Sequence, residues 1–367
     1  MTEIILILFL LCLIIQVLFH FLVFRGLYSS KEKTTHSEEI PSVSVIIAAR
    51  NESKNLPQLI KSLSAQEHPQ MEVIIINDRS TDESDKVIKK AIEGQKHFQQ
   101  ININSLPDGW TGKKYALLKG MQVAKNEILL FTDADCIPKS SQWATLVAAT
   151  FDTKTDIVLG FSPYENRATW LNQFIQFESL LTGLQYLGLA NLGRPYMGVG
   201  RNWAIRKHVY DLEYLKSISD IIGGDDDLMI NHLATRTNTS IITAPSSQTI
   251  SKPTESWNDF FKQKIRHLSV GSHYHQKDKT VLGLFTLAFL FGWIFFFFLL
   301  VSTINPYLIL ATFGLRSLSF YSIFARVGQK FDAPVRFWAL LLLDLSYSIY
   351  YPVMGLRALS AKNIKWK

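Results

Sequence analysis

Two aspartates that follow an apolar run are the clearest candidates for a functional site in the sequence. Asp133 and Asp135 are separated by one alanine and come after the apolar residues 128–131. Side chains at positions i and i+2 of an extended chain point to the same side, so the two carboxylates can bind one hard divalent cation. The same pattern also occurs in solvated Asp turns. Its position after a predicted strand favours a Mg²⁺ or Mn²⁺ site at Asp133 and Asp135.

A second acidic group lies further along the chain. Asp225, Asp226 and Asp227 occupy consecutive positions after two glycines. Like charges this close raise at least one pKa, which can bring a general base near neutral pH. The alternative interpretation is a charged first turn of a helix, stabilised by the helix dipole. Because three adjacent acids exceed what a helix start needs, we predict that Asp225 or Asp226 acts as a base.

Polar residues also follow the first two predicted strands. Glu52 comes shortly after the first strand, and Asp78 stands at the end of the second. An acidic group at the carboxyl end of a parallel strand can accept a hydrogen bond from a base or a ribose. Ser80 or Thr81 can cap the helix that follows, but capping does not account for Asp78. We therefore predict that Glu52 and Asp78 contact a nucleotide.

Arg266 lies in a predicted helix, residues 257–275, that runs straight into an apolar segment. Its planar guanidinium can bind a leaving diphosphate. An arginine that snorkels at a lipid surface is the alternative interpretation.

The elements that must position these residues alternate from residue 43 onward. Apolar runs of strand length are followed by stretches with apolar residues on one helical face. The predicted strands are 43–48, 73–76, 101–104, 128–131 and 157–161, and the predicted helices are 54–65, 82–92, 113–124 and 169–189. This alternation predicts an α/β fold, Rossmann-like, with a mostly parallel sheet, helices on both faces and ligands at the carboxyl ends of the strands.

Apolar segments lie at both ends of the 367-residue chain, whose mean hydropathy is +0.10. The segments 4–24, 281–301 and 337–353 are long enough to cross a bilayer. Basic residues after the first segment favour a cytoplasmic polar block. The segment 306–325 carries Arg316 at its middle, so we expect it to be re-entrant or interfacial, with a cytoplasmic C-terminal tail.

The charge and the cysteines exclude some classes of function. The net charge is +7, but the basic residues gather beside apolar segments, where they face anionic lipid. We therefore predict membrane lipids as partners and no nucleic acid. The two cysteines, Cys12 and Cys136, provide neither a disulfide framework nor a zinc site.

Several segments between residues 41 and 271 together resemble the inverting family 2 glycosyltransferases, membrane-associated enzymes of the GT-A fold. The similar segments are 50–52, 77–82, 109–113, 132–135, 200–206, 224–228 and 263–267. Asn77 and Arg79 replace an Asp and a Gly of the family's nucleotide-contacting turn, and His267 replaces a Trp. Among subgroups, the N-terminal span and the compact C-terminal spans are similar to lipid and carotenoid glycosyltransferases.

The resemblance implies a nucleotide-sugar donor, UDP-linked, and assigns residues to it. The residues on the donor and metal side are Glu52, Asp78, Lys113, Asp133, Asp135, Gln263 and Arg266. Alignment on Leu228 makes Asp225 the base, with Asp226 as a close rival, and Arg266 assists the leaving diphosphate. The missing Trp weakens the interpretation as a processive synthase, in which it would lie beside the growing chain.

The sequence thus predicts a membrane-bound, metal-dependent glycosyltransferase of hexosyltransferase type, with a lipid hydroxyl or carboxyl as acceptor at the cytoplasmic leaflet of the cell membrane. Its expected parts are an anchor (1–25), a tether (26–40), the GT-A domain (41–250), an interfacial helix (251–279), a membrane region of two or three spans (280–357) and a basic tail (358–367). The alternatives are a processive polysaccharide synthase, a nucleotidyltransferase, or a non-catalytic membrane scaffold or transporter that uses Arg316 and Asp344. These two residues can equally pair with each other or with lipid headgroups.

Overall fold

The computed structural model describes residues 2–29, 40–333 and 335–361. The predicted tether and basic tail fall mostly outside these residues. In chain order the elements are α1 (Thr2–Ser29), β1 (Val43–Ala49), α2 (Leu56–Ser64), β2 (Met71–Asp78), α3 (Ser84–Ala91), β3 (Phe98–Ile103), α4 (Gly112–Val123), β4 (Ile128–Phe131), β5 (Cys136–Pro138), α5 (Trp143–Ala148), β6 (Ile157–Gly160), α6 (Trp170–Asn191), β7 (Trp203–Arg206), α7 (Leu212–Ser217), α8 (Asp227–Leu233), β8 (Thr239–Ile242), β9 (Thr249–Ser251), α9 (Trp257–Val270), α10 (Gln276–Leu300), α11 (Pro306–Lys330) and α12 (Leu340–Ser360).

The chain divides into two compact units. The sheet unit contains residues 40–165 and 189–253, and the helical unit contains residues 2–29, 166–188 and 254–361. Most of α6, residues 170–188, therefore belongs to the helical unit. The predicted domain bounds, with residues 41–250 as one domain, stay a prediction.

The sheet unit is built on seven strands in the order β3-β2-β1-β4-β7-β6-β8. Strands β3, β2, β1 and β4 are parallel, β7 runs antiparallel to β4 and β6, and β6 is parallel to β8. Strand β1 is buried along its whole length, as expected for a strand with both faces covered. The mostly parallel α/β sheet predicted from the sequence is confirmed.

Helices cover both faces of β1 because its side chains alternate. Val45 and Ile47 belong to an apolar cluster that also contains Leu59 of α2. Ile46 points to the other face, where Gly120 of α4 lies so close that an added Cβ would be 2.8 Å from Ile46 Cγ2. Burying each such side chain contributes about 1.5–3 kcal/mol, so the apolar run that predicted β1 also accounts for its stability.

Four helices of the described residues are long and apolar enough to cross a membrane. They are Thr2–Ser29, Gln276–Leu300, Pro306–Lys330 and Phe337–Ser360. Three of them correspond to the segments 4–24, 281–301 and 337–353 that were predicted to span. The third, α11, corresponds to the segment that was expected to be re-entrant or interfacial.

Helix α11 is continuous because its central arginine is not isolated. Arg316 is 2% exposed, and its guanidinium is ion-paired with Asp344 of α12. Arg316 Nε also donates to Gln16 Oε1 of α1 at 2.8 Å, and Gln16 Nε2 donates to the Ala288 carbonyl of α10 at 2.8 Å. Paired charges cost far less in apolar surroundings than a single one. The pairing removes the reason for expecting a re-entrant segment, and it satisfies the two charges on which the transporter alternative rested.

Helix α9 is shorter than the sequence suggested. Its N-cap is Ser256, whose hydroxyl accepts from a backbone amide of the first turn. Lys264 Nζ binds Glu178 Oε2 of α6 at 2.6 Å, which fixes one face of α9 within the helical unit. The predicted helix continued beyond Val270, but α9 ends there, because Gly271 has a low helix propensity and begins a separate short turn.

Replacing Arg316 by Leu leaves Asp344 unpaired among apolar side chains. Removing one partner of a buried ion pair costs about 3–5 kcal/mol, so we expect a lower midpoint of thermal unfolding for the detergent-solubilised protein. Arg326→Leu, which changes an exposed arginine of the same helix, should keep the wild-type midpoint. The double variant Arg316→Leu/Asp344→Leu should recover most of the loss. An Arg316→Leu midpoint equal to that of the wild type would contradict the role of the pair.

Candidate active site

The carboxyl ends of β1, β2 and β4 lie side by side in the sheet, and most predicted donor-side residues follow them. Asp78 is the last residue of β2, Glu52 follows β1, and Asp133 and Asp135 follow β4. Strand β1 is paired in parallel with both β2 and β4. The fold therefore brings these four carboxylates to one edge of the sheet, as predicted.

The loops after β1 and β2 are joined by side chains that the sequence assigned to other roles. The Asn51 amide nitrogen donates to Ser80 Oγ at 3.0 Å, and Asn51 Oδ1 accepts from the Thr81 amide at 2.8 Å. The expectation that Ser80 or Thr81 caps the next helix is wrong, because α3 begins at Ser84 with no side-chain cap. These residues instead hold the first loop against the second.

The carboxylate of Asp78 is fully buried and bound by its neighbour. Arg79 Nε and Nη2 donate to its two oxygens at 2.7 Å and 2.9 Å. Arg79 has a φ of 49°, a conformation that favours glycine, and the resembled family has a glycine at this position. The ion pair offsets the strain of a bulky residue there. The predicted nucleotide contact of Asp78 stays a prediction, and any ligand would meet an Asp78–Arg79 pair.

Glu52 is also engaged within its own loop. Its Oε2 accepts from Asn55 Nδ2 at 2.6 Å, and its amide nitrogen donates to Ser84 Oγ at 2.9 Å. The side chain is buried. Its predicted nucleotide contact is not tested by these interactions.

Asp133 and Asp135 form a compact ligand cluster with Cys136. One carboxylate oxygen from each aspartate and the Cys136 sulfur all lie within 4.8 Å of one another. Burial, and then the two carboxylates, raise the pKa of the Cys136 thiol well above its ordinary value. A thiol that stays protonated is a poor metal ligand. The donor set therefore consists of carboxylate oxygens, which fits Mg²⁺ or Mn²⁺ rather than zinc.

Lys113 connects the two acidic segments of the sequence. Its Nζ lies 2.9 Å from Asp133 Oδ1 and 2.9 Å from Asp225 Oδ2. Burial lowers the pKa of Lys113, but the carboxylates of Asp133, Asp225 and Asp226 outweigh it and hold the pKa well above its ordinary value. Lys113 is therefore charged, and the candidate metal pair and the candidate base belong to one site.

The acidic turn, residues 223–227, has an unusual backbone conformation that hydrogen bonds from the start of α4 stabilise. Gly223 and Gly224 have φ values of 87° and 71°, which disfavour any other residue. The buried Lys114 donates from Nζ to the carbonyl oxygens of Ile221 and Gly223. The Thr111 amide nitrogen also donates to a carbonyl shortly before the turn, at 2.8 Å. The start of α4 thus fixes the turn and then presents Lys113 to it.

The two candidate bases differ in their surroundings. Asp225 is 5% exposed and is ion-paired with Lys113. Asp226 is half-buried, and burial, followed by the charge of Asp225, raises its pKa to about 6. An added Cβ at Gly200 would lie 2.9 Å from Asp226 Oδ2, so the acidic turn closely approaches the loop before β7 at this position. A carboxyl that titrates near neutral pH is suited to proton transfer.

Charge in the site is unbalanced. The five aspartates of the two acidic segments outnumber the three basic side chains near them, Lys113, Lys114 and Arg201. A diphosphate would be repelled by this excess of negative charge. One divalent cation on Asp133 and Asp135 would reduce the excess.

Gln263 and Arg266 both lie on α9, in the helical unit. Their predicted roles toward the donor therefore stay predictions.

Sequence reasoning missed three residues of the site. No sequence motif indicated Lys114 or Arg201. The only signal was that they adjoin Lys113 and Gly200, which lie in segments that resemble the family. Tyr210 lies near the acidic turn, where burial, then Asp225 and Asp226, raise the pKa of its phenol. No local spacing could have indicated it, because chain reversal at β7 brings it there.

Comparison with known proteins agrees with this geometry. The family model described as "Glycosyl transferase family 2" matches residues 44–212. The chain contains a family 2 glycosyltransferase domain. The matched region holds Glu52, Asp78, Lys113 and both metal-pair aspartates, whereas the acidic turn lies beyond it.

Two curated relatives resemble parts of the chain. A 4,4'-diaponeurosporenoate glycosyltransferase from Staphylococcus haemolyticus (strain JCSC1435) is 38% identical over 106 residues, which are 29% of this chain and 27% of the relative. The probable glycosyltransferase YdaM from Bacillus subtilis (strain 168) is 26% identical over 245 residues, which are 62% of this chain and 55% of the relative. The chain thus spans about a quarter to about half the length of these relatives.

One solved structure matches nearly the whole fold. The mannosyltransferase PcManGT from Pyrobaculum calidifontis, in complex with GDP-Man and Mn²⁺, has a TM-score of 0.62 and covers 95% of this chain and 99% of that chain. At 16% identity the likeness shows the fold alone. The predicted GT-A fold is confirmed.

Replacing Lys114 by Met should disorder the acidic turn, residues 223–227. The variant leaves the half-buried carbonyl oxygens of Ile221 and Gly223 without this donor, at up to about 1–3 kcal/mol each, so we expect a lower midpoint of thermal unfolding. Lys119→Met, on the same helix but partly exposed, should keep the wild-type midpoint. If both variants unfold at the wild-type temperature, Lys114 does not hold the turn.

Proposed function

We propose that the protein is a membrane-bound, inverting glycosyltransferase that moves a sugar from a nucleotide-sugar donor to a lipid-type acceptor. The observation that carries this proposal is Lys113, which lies 2.9 Å from both Asp133 and Asp225. It joins a carboxylate pair suited to a divalent cation to an acidic turn suited to a base. The family 2 domain supplies the reaction class.

The residues on the donor side bind and neutralise the nucleoside diphosphate. Asp133 and Asp135 hold Mg²⁺ or Mn²⁺, which when bound stabilises the negative charge of the departing diphosphate. Glu52 and Asp78, at the strand ends, contact the nucleoside, which we take to be uridine. Lys113 stays near the phosphates because its two carboxylate partners fix it. Gln263 and Arg266 of α9 complete the donor side, with Arg266 on the leaving diphosphate.

The transfer exchanges one bond for another at the anomeric carbon. An acceptor oxygen attacks this carbon from the face opposite the diphosphate, and the carbon–oxygen bond to the phosphate breaks with its electron pair. The configuration is therefore inverted. For a hydroxyl acceptor, the proton passes to the carboxylate of Asp225 or Asp226. A carboxylate acceptor arrives ionised and needs no base.

The helical unit supports a lipid-type acceptor. Its four apolar helices are long enough to hold the domain at the cell membrane. The relative from Staphylococcus haemolyticus is named for a diaponeurosporenoate, a carotenoid-type acid, and we propose an acceptor of the same class. We place the sheet unit on the cytoplasmic side, with membrane lipids as the other partners. If all four helices cross the membrane, the C-terminal tail lies on the side opposite to the sheet unit. The predicted cytoplasmic tail therefore requires that one of α10, α11 and α12 does not cross.

The central test removes the metal ligands from the full-length protein in lipid nanodiscs. We expect Asp133→Asn and Asp135→Asn to lower donor turnover, with UDP- and GDP-sugars, by about 100-fold or more, because charge on the leaving phosphate is no longer stabilised. Chelation of divalent ions should do the same to the wild type, with recovery on adding Mn²⁺. Glu93→Gln, an exposed acid of the sheet unit, serves as the control.

Turnover that persists at the wild-type rate in both aspartate variants would refute the proposed site. The released nucleotide and the product mass separate the alternatives. A nucleotidyltransferase would release pyrophosphate, a processive synthase would add many sugars, and a transporter would show no metal-dependent nucleotide binding.

The raised pKa of Asp226 predicts how transfer to a hydroxyl acceptor depends on pH. Because this pKa is about 6, the ionised base is present above pH 6 and is lost as the pH falls through it. If Asp226 is the base, the rate falls below pH 6, and Asp226→Asn removes nearly all turnover. If Asp225 is the base, Asp225→Asn does so, whereas Asp226→Asn keeps activity. Equal, wild-type rates in both variants would show that neither residue accepts the proton.

A further inference from the structure

Arg201 is a basic residue of the site to which the proposed reaction has so far given no role. It precedes β7, and its guanidinium carbon lies 4.3 Å from the centre of the Tyr164 ring. The Arg201 carbonyl oxygen accepts from Thr249 Oγ1 at 2.8 Å. Stacking on an aromatic ring fixes the plane of a guanidinium. Both the backbone and the guanidinium of Arg201 are therefore fixed, so its terminal nitrogens have a defined position.

The loop that carries Arg201 is rigid because the next residue is fixed. Asn202 is 1% exposed and donates from Nδ2 to the carbonyls of Phe161 and Ser247 at 2.8 Å and 2.9 Å. Asn202 Oδ1 accepts from Trp143 Nε1 at 3.0 Å. Since all these groups are buried, the position of Arg201 does not depend on a mobile surface loop.

One nitrogen of Arg201 lacks a partner. Its Nη1 is buried and makes no hydrogen bond within the described residues. A buried, charged donor without an acceptor costs about 1–3 kcal/mol or more, so such a group implies an acceptor that binds there. The same side chain lies near the metal pair: burial lowers the pKa of Arg201, but Tyr164, Cys136, Asp133 and Asp135 outweigh this and raise it.

We propose that Arg201 binds an anionic oxygen group of a substrate, a phosphate or a carboxylate, beside the Asp133–Asp135 pair. A planar guanidinium matches both groups with two parallel hydrogen bonds. Two substrates of the proposed reaction carry such a group: the donor has a diphosphate, and a lipid acid has a carboxylate. The inference rests on the proposed function.

The first arm of the test measures binding to the donor's phosphates. The full-length protein in nanodiscs is titrated calorimetrically with UDP and GDP in the presence of Mn²⁺, and with uridine and guanosine as phosphate-free matches. Arg201→Lys keeps the positive charge but cannot donate the two parallel hydrogen bonds of a guanidinium. Arg201→Met loses both the charge and these hydrogen bonds. Arg236→Met, an exposed arginine of the sheet unit, is the matched control. If the diphosphate is the ligand, both Arg201 variants should weaken nucleotide binding about tenfold or more, with nucleoside binding unchanged.

The second arm measures binding to a carboxylate. All-trans-retinoic acid and all-trans-retinol serve as an acidic and a neutral polyene of the same shape. If the acceptor carboxylate is the ligand, the Arg201 variants should lose about tenfold in retinoic acid binding only, and nucleotide affinity should stay at the wild-type value. Because Arg201→Lys preserves charge and length, it decides the outcome if Arg201→Met fails to fold.

Binding of both nucleotides and retinoic acid within twofold of wild type in both variants would overturn the inference. So would a change confined to Mn²⁺ affinity, since Arg201 would then only balance the charge of the aspartates. If the wild type itself binds no nucleotide with Mn²⁺, the proposed function fails, and the inference fails with it. A wild type that binds normally beside unaffected variants refutes the role of Arg201 alone.

Discussion

The site depends on holding the carboxylates of Asp133 and Asp225 close together. Asp133 and Asp225 come from distant parts of the chain, and their mutual repulsion would separate them without a cation between them. Lys113 supplies this cation through two contacts of 2.9 Å. Because it offsets only part of the negative charge, the arrangement remains receptive to a divalent ion. The constraint that assembles the site therefore also leaves the negative charge that the proposed metal would offset.

The start of α4, which carries Lys113, also donates hydrogen bonds to the backbone of the acidic turn. Two successive residues with positive φ leave carbonyl groups that no regular element can satisfy. Lys114, next to Lys113, donates to the carbonyl oxygens of Ile221 and Gly223, which lie 107 and 109 positions further along the chain. One helix start thus provides both the charge that joins the two acidic segments and the hydrogen bonds that shape one of them. A change in α4 would affect the metal side and the base side together.

The sequence predicted what depends on local pattern. Strands β1, β2 and β4 are buried apolar runs, so their existence and the polar residues after them followed from composition. Strand β7 was missed because it is short and is defined by antiparallel pairing with β4 and β6. The segment 306–325 was expected to be re-entrant because the cost of Arg316 was assessed on one helix, although its pairing with Asp344, which the sequence left open, is what the structure contains. The pairs Lys113–Asp225 and Arg201–Tyr164 were equally inaccessible, since only the folded chain brings them together.

The chemistry of the acceptor decides what the acidic turn must do. A hydroxyl nucleophile has to lose a proton, so the raised pKa of Asp226 would be used directly. A carboxylate nucleophile brings its own negative charge into a site that already has an excess of acid, and it would then need a cation rather than a base. Arg201, stacked on Tyr164 beside the metal pair, offers such a cation. The two acceptor classes therefore require different residues of the same site, Asp226 for a hydroxyl and Arg201 for a carboxylate.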